Sequence, residues 1–361
     1  MTKVLAKSPS RQPPAESKRS LQYDLFTKFF GDSQNLSNTI ELWDAIPKYA
    51  VSARVQSIIR DEKGNLPVYE QEFEYRPTVE GMPDRIACKV MIQPASIKNK
   101  DGSYTYHYPS TDEELVEEVL KKIFTDQNFG HHEPAANESW VRFTLYMIQQ
   151  ELKARGKTRS LDEIKTSLEI LSRATYEVQF AGQSRKMNYT STILSDMVRT
   201  TKADYLEDPK SLWTARLPAL ISQSINSLTY RQINYKTLIS LPTPLARWFH
   251  RRLTHQYSNA HILHPYNLLY SSIERDSGLL KHSRKQRNIQ TVDATLQQLQ
   301  EANIIMYYKK EERREGRKIA DILYVLTPTN VFVDEIKAAN ARQREHRKEL
   351  AQNTNNSKRL R

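Results

Sequence analysis

Cysteine is almost absent from this chain: Cys88 stands alone among 361 residues. A disulfide within one chain and a cysteine-based zinc site are thereby excluded, and a reducing compartment is expected. Glycine is scarce as well, with nine in all, and none sits in a G-x-G-x-x-G arrangement. Gly156-Lys157-Thr158 has the tail of a phosphate-binding loop, but the position where that loop needs its first glycine is Glu151, so no ATPase site is expected. No apolar run reaches the roughly eighteen residues that span a bilayer. The opening MTKVLAKSPSRQPPAESKRS lacks the apolar core of a secretory leader. The expectation is a cytoplasmic protein without a membrane partner. His131-His132-Glu133 and His261-Ile262-Leu263-His264 lack the H-E-x-x-H spacing and any cysteine partner. No metal, cofactor or catalytic residue is expected. A nicking enzyme would add a His-apolar-His pair to a nucleophilic tyrosine, and the sequence has no such pair.

Positive charge is what the chain has in excess, at +12 net. Residues 1–35 hold six basic and three acidic side chains, residues 36–240 hold 26 and 27, and residues 241–361 hold 22 and 12. A neutral body with a cationic final third suits a polyanion, because cations that neutralise phosphates release condensed counterions.

Along the chain, residues 1–35 read as a disordered basic arm, rich in Lys, Arg, Ser and Pro. Residues 36–111 read as a β-rich segment. FEYRPTV and RIACKVMIQPASI have strand character, and Asp101-Gly102 supplies a turn before SYTYHYP. After Asp112, EELVEEVLKKIF gives an amphipathic helix of three turns.

A repeat follows. Ile164, Leu168, Leu171, Ala174, Tyr176 and Val178 share their spacing with Val292, Leu296, Leu299, Ala302, Ile304 and Met306, 128 residues later. In both runs the period changes from three-and-four to two, which is how a helix passing into a strand reads. Each run continues through a basic turn into a second strand. Each is preceded by a short helix ending at Gly156 or Gly278. Helix, glycine turn, helix, strand, basic loop, strand is the order of a winged helix-turn-helix. The expected fold is therefore α+β, with two such domains in tandem at 112–205 and 241–327. A connector at 206–240 holds a strand and a helix, a C-terminal helix covers 328–350, and 351–361 is a disordered tail.

In such a unit the second helix enters the major groove. In the second copy that helix is expected to start near Asn288 and run to 302. Arg287, Asn288 and Gln290 are the candidate base readers, since Arg suits guanine and Asn or Gln suits adenine. Asp293, Thr295 and Gln298 are weaker candidates. Lys281, Arg284 and Lys285 suit phosphates. The wing supplies Lys309, Lys310, Arg313, Arg314, Arg317 and Lys318. Arg247 and Arg251 lie four apart on one face of the preceding helix, which fits either a phosphate strand or plain solvent. The first copy offers Lys157, Arg159, Arg185 and Lys186, but Asp162, Glu163 and Glu169 sit on its second helix. A weaker DNA contact or a protein–protein contact is expected there. Ser160 with Glu163 forms a capping box.

The tandem plan, the block LSNTIELWDAIPKYAVS at 36–52 and the block LPTPLARWFHRRL at 241–253 resemble bacterial plasmid replication initiators of the Rep type. The resemblance covers roughly residues 36–330. It implies binding of double-stranded DNA at repeated origin sites (iterons), opening of the origin, and recruitment of a host initiator and a replicative helicase without ATP hydrolysis. It also implies that the first unit supports dimerisation or a second contact, with monomer–dimer exchange, and a part in copy control. The segment at 53–109 departs from the pattern. The alternative reading is a winged-helix transcription regulator with 36–109 as a partner-binding domain.

Overall fold

The computed structural model describes residues 20–78, 83–99, 101–181, 186–200, 212–316 and 318–359. In chain order the elements begin with α1 (Leu21–Thr27), β1 (Leu36–Ile40), α2 (Glu41–Ala45), α3 (Ala53–Ile59), β2 (Tyr69–Tyr75), β3 (Ile86–Gln93), β4 (Ala95–Lys98) and β5 (Tyr104–His107). There follow α4 (Thr111–Phe124), β6 (Gly130–Glu133), β7 (Glu138–Phe143), α5 (Leu145–Ala154), α6 (Leu161–Arg173), β8 (Thr175–Ala181), β9 (Lys186–Thr192), β10 (Ser195–Val198) and β11 (Trp213–Arg216). The chain continues with α7 (Ala219–Ser227), β12 (Tyr230–Asn234), α8 (Tyr235–Ser240), α9 (Pro244–Gln256), β13 (Tyr266–Leu269), α10 (Tyr270–Ser277) and α11 (Lys285–Glu301). Strands β14 (Ile305–Glu315) and β15 (Lys318–Pro328) and helix α12 (Asn330–Arg359) complete it.

Buried apolar side chains form two clusters, one drawn from Tyr23 to Ile239 and the other from Leu241 to Ile336. The core therefore divides between residues 240 and 241, where the charge of the sequence also changes. Helix–strand–helix–helix–hairpin is the order of the second lobe, as α9–β13–α10–α11–β14/β15, and the first follows it as α4–β7–α5–α6–β8/β9 with one added strand, β6, before β7.

The lobes differ in how their hairpins are paired. In the second lobe β13, β15 and β14 make one antiparallel sheet, with Tyr266 opposite Leu326 and Lys310 opposite Tyr324. In the first, β8 and β9 join β3 and β2 in a sheet of order β2-β3-β8-β9, with Val90 opposite Val178. The β-rich segment thus completes the first lobe's sheet.

Three expectations change. Residues 21–27 are not part of a disordered arm: α1 buries Tyr23, Leu25 and Phe26, and residues 1–19 lie outside the described residues. The connector holds β11, α7, β12 and α8 rather than one strand and one helix, and β12 pairs with β1 far back in the sequence. The last helix runs to Arg359 instead of ending at 350.

The repeat also breaks at its last position. Ile164, Leu168, Leu171, Ala174, Tyr176 and Val178 are all fully buried. In the second copy Met306 is 47% exposed, while Ile304 and Ile305 are both buried. Asn303 takes a positive φ of 57° between helix and strand. This extra turn shifts the strand's inward phase by one residue, and a one-residue shift moves a side chain to the other face.

The lobes meet through a buried polar layer on α4. Its apolar stripe of Leu115, Val116, Val119, Leu120, Ile123 and Phe124 enters the first core. Glu113, Glu114, Glu117 and Glu118 are nevertheless buried too. Glu114 receives Arg247 at 2.7 Å and Arg251 at 2.6 Å, and Glu118 receives Arg251 at 3.2 Å. Lys121 links Glu118 at 2.8 Å to Asp44 at 2.9 Å. Glu117 accepts from the Trp43 indole and the Tyr49 hydroxyl. Burial alone would raise the Glu114 carboxyl, but Arg247 and Arg251 outweigh it and hold the group below its usual range. The blocks at 36–52 and 241–253 therefore supply the two flanks of one ionic layer.

Beyond that layer, α12 leaves the second core at Phe332, Val333 and Ile336 and runs back against the first lobe. Arg342 is almost wholly buried and donates to the carbonyls of Leu25, Phe26 and Lys28 and to the Asn38 side chain.

Candidate nucleic-acid interface

Helix α11 packs Ile289, Val292, Leu296 and Leu299 into the second core. Its other face looks outward, and that amphipathic spacing fixes which side chains a ligand can meet. Nothing acidic lies in its first turn, and Arg284 at the N-cap makes no side-chain cap bond. Cations there sit at the positive end of the helix dipole, unfavourably for the helix and favourably for an anion.

Arg284 and Arg287 are exposed. Their side chains form no hydrogen bond or ion pair among the described residues, and the same holds for Lys309, Arg313 and Lys318 on the hairpin. On β14 every residue from Lys309 through Glu315 is exposed, while β15 opposite them keeps Ile322 and Tyr324 in the core. The hairpin stays tied to the body near its tip, where Ser271 bonds Asp321 through its N–H at 3.1 Å and its hydroxyl at 2.6 Å. Gly316 at its tip has φ +61°, the conformation a tight turn asks of glycine.

Several other expected contacts are engaged within the protein. Lys281 reaches across to the first lobe, donating to the Tyr69 hydroxyl at 2.6 Å and to Gln71 at 3.1 Å. Lys285 ties the start of α11 to β15 through the carbonyls of Ile319 and Ala320, at 3.2 and 2.9 Å. Lys310 pairs with Asp293 at 2.8 Å, and Arg314 with Glu312 at 2.6 Å. These last two pairs are part-exposed and can exchange partners at low cost. Gln290 is exposed and unengaged among the described residues.

Asn288 must be corrected. It is 3% exposed, and its amide donates to the His282 carbonyl and accepts from the His282 N–H, both at 3.0 Å. It fastens the turn before α11 and is not available to a base. Thr295 is buried as well. Arg247 and Arg251 are corrected on the same ground: both are buried in the layer on α4, facing carboxylates in place of phosphates or water. Arg317 and Arg185 lie outside the described residues, as does the side chain of Lys186.

The first lobe's counterpart is different in charge. Helix α6 opens with Asp162 and Glu163, and Ser160 and Glu163 form the capping box that the sequence predicts. Arg159 pairs with Asp112. Lys157 is half-buried, its ammonium pushed down by burial and then by Arg247 and Arg159. The glycine turns differ too. A Cβ at Gly278 (φ +62°) would lie 3.1 Å from the Ala50 Cβ and 3.3 Å from Gln71, while one at Gly156 (φ +72°) would meet nothing within 4 Å. The turn of the second lobe is thus seated on the first. Gln71 donates to the Arg275 carbonyl, the Glu74 N–H to Asp276, and Arg275 pairs with Glu74 at 3.1 Å.

The residues that sequence reasoning overlooked are Thr291, Ala294 and Gln297, which share the outward face with Arg287 and Gln290. A helical wheel started at Arg287 would have found them at steps of three, four, seven and ten.

Among the described residues no helix is long and apolar enough to cross a membrane, and no three His, Cys, Asp or Glu side chains gather as a metal site. No family model matches the chain, and no curated protein matches it. Solved structures do resemble it. Domains 2 and 3 of RctB, as a selenomethionine derivative, share 11% identity over 72% of this chain and 91% of that one, with a TM-score of 0.43. A second structure of RctB domains 2–3 shares 10% over 76% and 95%, with a TM-score of 0.40. The Pi initiator protein, in complex with iteron DNA, shares 9% over 83% and 100%, with a TM-score of 0.35.

Proposed function

We propose that the protein is a non-catalytic initiator of DNA replication that binds repeated duplex sites, with its second lobe as the main DNA reader. Each lobe is read as a winged helix-turn-helix. In the second, α10 and α11 form the helix-turn-helix and β14/β15 the wing. The observation that carries the proposal is the pairing of an uncapped, acid-free start of α11 with an exposed, cationic hairpin strand on the same lobe. Five cations without a partner among the described residues, Arg284, Arg287, Lys309, Arg313 and Lys318, face solvent there. The initiator reading rests on the resemblance of residues 36–52 and 241–253 to Rep-type initiators. Origin opening, helicase recruitment and monomer–dimer exchange belong to that reading.

The test is a salt series with the full chain on duplex carrying direct repeats one helical turn apart, with scrambled duplex as reference. Specific binding with a slope of log affinity against log salt of roughly −4 or steeper is expected, from about four or five phosphate contacts. Equal affinity for both duplexes would overturn the proposal.

A further inference from the structure

The outward face of α11 has a composition that bears on which sequence it reads. Its members are Arg287, Gln290, Thr291, Ala294 and Gln297. Every other polar side chain from Asn288 to Gln298 is engaged or buried within the protein. Asn288 and Thr295 are buried, Asp293 holds Lys310 at 2.8 Å, and Gln298 accepts from the Thr243 hydroxyl at 2.7 Å. The Thr291 hydroxyl donates to the Arg287 carbonyl at 3.0 Å, so its methyl is the group left for an outside contact. The amides of Gln290 and Gln297 have no hydrogen-bond partner among the described residues.

In the major groove, Arg pairs with the two acceptors of guanine, and Gln with the acceptor and donor of adenine. Threonine and alanine methyl groups pack on the thymine methyl, and reading a cytosine amino group needs an acid. This face offers one Arg, two Gln, two methyl groups and no unpaired Asp between positions 287 and 297. Ten residues of helix cover about 15 Å at 1.5 Å each, or about four base pairs at 3.4 Å each. Resting on the reading of α11 as the major-groove helix, we propose that it recognises a guanine at the Arg287 end followed by about three A·T pairs. Gln290 and Gln297 read adenines, and Thr291 with Ala294 reads thymine methyls.

The experiment selects sites for the full chain from duplexes randomised over about two helical turns. It then measures affinity of the unchanged chain, Arg287→Ala, Gln290→Ala and Gln290→Glu on the selected duplex and its single-base variants. The selected core should be G followed by A·T pairs. Arg287→Ala should abolish discrimination at the guanine alone and Gln290→Ala at one adenine alone, each by about 5- to 100-fold. Gln290→Glu should move the preference at its position towards cytosine, a change that a merely structural role would not produce. These side chains are exposed, so thermal melting of the variants should match the unchanged chain.

A selected core rich in G·C, or variants that weaken every duplex equally, would overturn the inference while leaving DNA binding intact. A chain that enriches no sequence at all would instead sink the helix-turn-helix reading, and the inference with it.

Discussion

The two lobes repeat one order of elements and use it in opposite ways. In the first, α6 starts with Asp162 and Glu163 under a capping box, and its hairpin is built into a four-stranded sheet with β2 and β3. In the second, α11 starts with Arg284, Lys285 and Arg287 and no acid, and beyond Tyr308 the β14 strand of its hairpin is an exposed edge. Local capping favours the first arrangement, since acids at a helix start stabilise it by about 0.3–1 kcal/mol each. The second forgoes that stabilisation and leaves its positive end without an acid. Shared topology is a poor guide to shared function; under the proposed function, the sign of charge in one helical turn separates scaffold from reader.

The largest expected effect breaks the ionic layer between the lobes. Arg247→Ala leaves the buried Glu114 short of its partner and should cost about 3–5 kcal/mol in denaturant unfolding. Glu114→Gln should do likewise. If either lost DNA affinity without losing stability, those arginines would belong to the DNA face after all.

Next in size is acidity. Burial, and then Arg251, holds His250 down at about 3; burial, then Arg231, does the same to His255. Their unfolded values lie near the usual 6.5, so between about 6.5 and about 3 the unfolded chain binds more protons. Stability is therefore full above about pH 6.5 and falls as pH drops, by up to about 1.4 kcal/mol per unit for each histidine. Denaturant midpoints at about pH 7.5 and about pH 5 should show that fall; a flat response would mean that these rings are not held neutral.

The glycine turns sharpen the comparison further. Gly156→Ala should cost about 1 kcal/mol for the positive φ. Gly278→Ala should cost more, because its Cβ also presses on Ala50 and Gln71 of the other lobe. Equal costs by thermal melting would show that the turn is not seated there. The smallest effect is Lys310→Ala. Its pair with Asp293 is part-exposed, so stability should change by under about 1 kcal/mol, while the salt slope of DNA binding weakens by about one if the lysine turns to a phosphate.

The helices and hairpins were legible in the sequence wherever their period was strong. The run from Ile164 to Val178 shows its helix-to-strand change directly, and all six residues are buried as that reading requires. Met306 escaped because one residue of left-handed turn at Asn303 resets a strand's phase without altering composition. Arg247 and Arg251 escaped for a different reason. Two cations four apart look the same whether they face water, phosphate or carboxylate. The missing signal was complementary: Glu114 and Glu118 carry the same spacing on the helix read as solvated on one side. Asn288 escaped because its work is a local bond to the His282 backbone, and Asn is as common in turns as at base edges.

The most direct measurement sets the lobes against each other on one duplex. Salt dependence of binding would be followed for the full chain, for Arg284→Ala with Arg313→Ala, and for Lys157→Ala with Arg159→Ala. The second-lobe pair should flatten the slope by about two, and the first-lobe pair should leave it unchanged. A slope flattened by the first-lobe pair and untouched by the second would place the DNA on the wrong lobe and contradict the account.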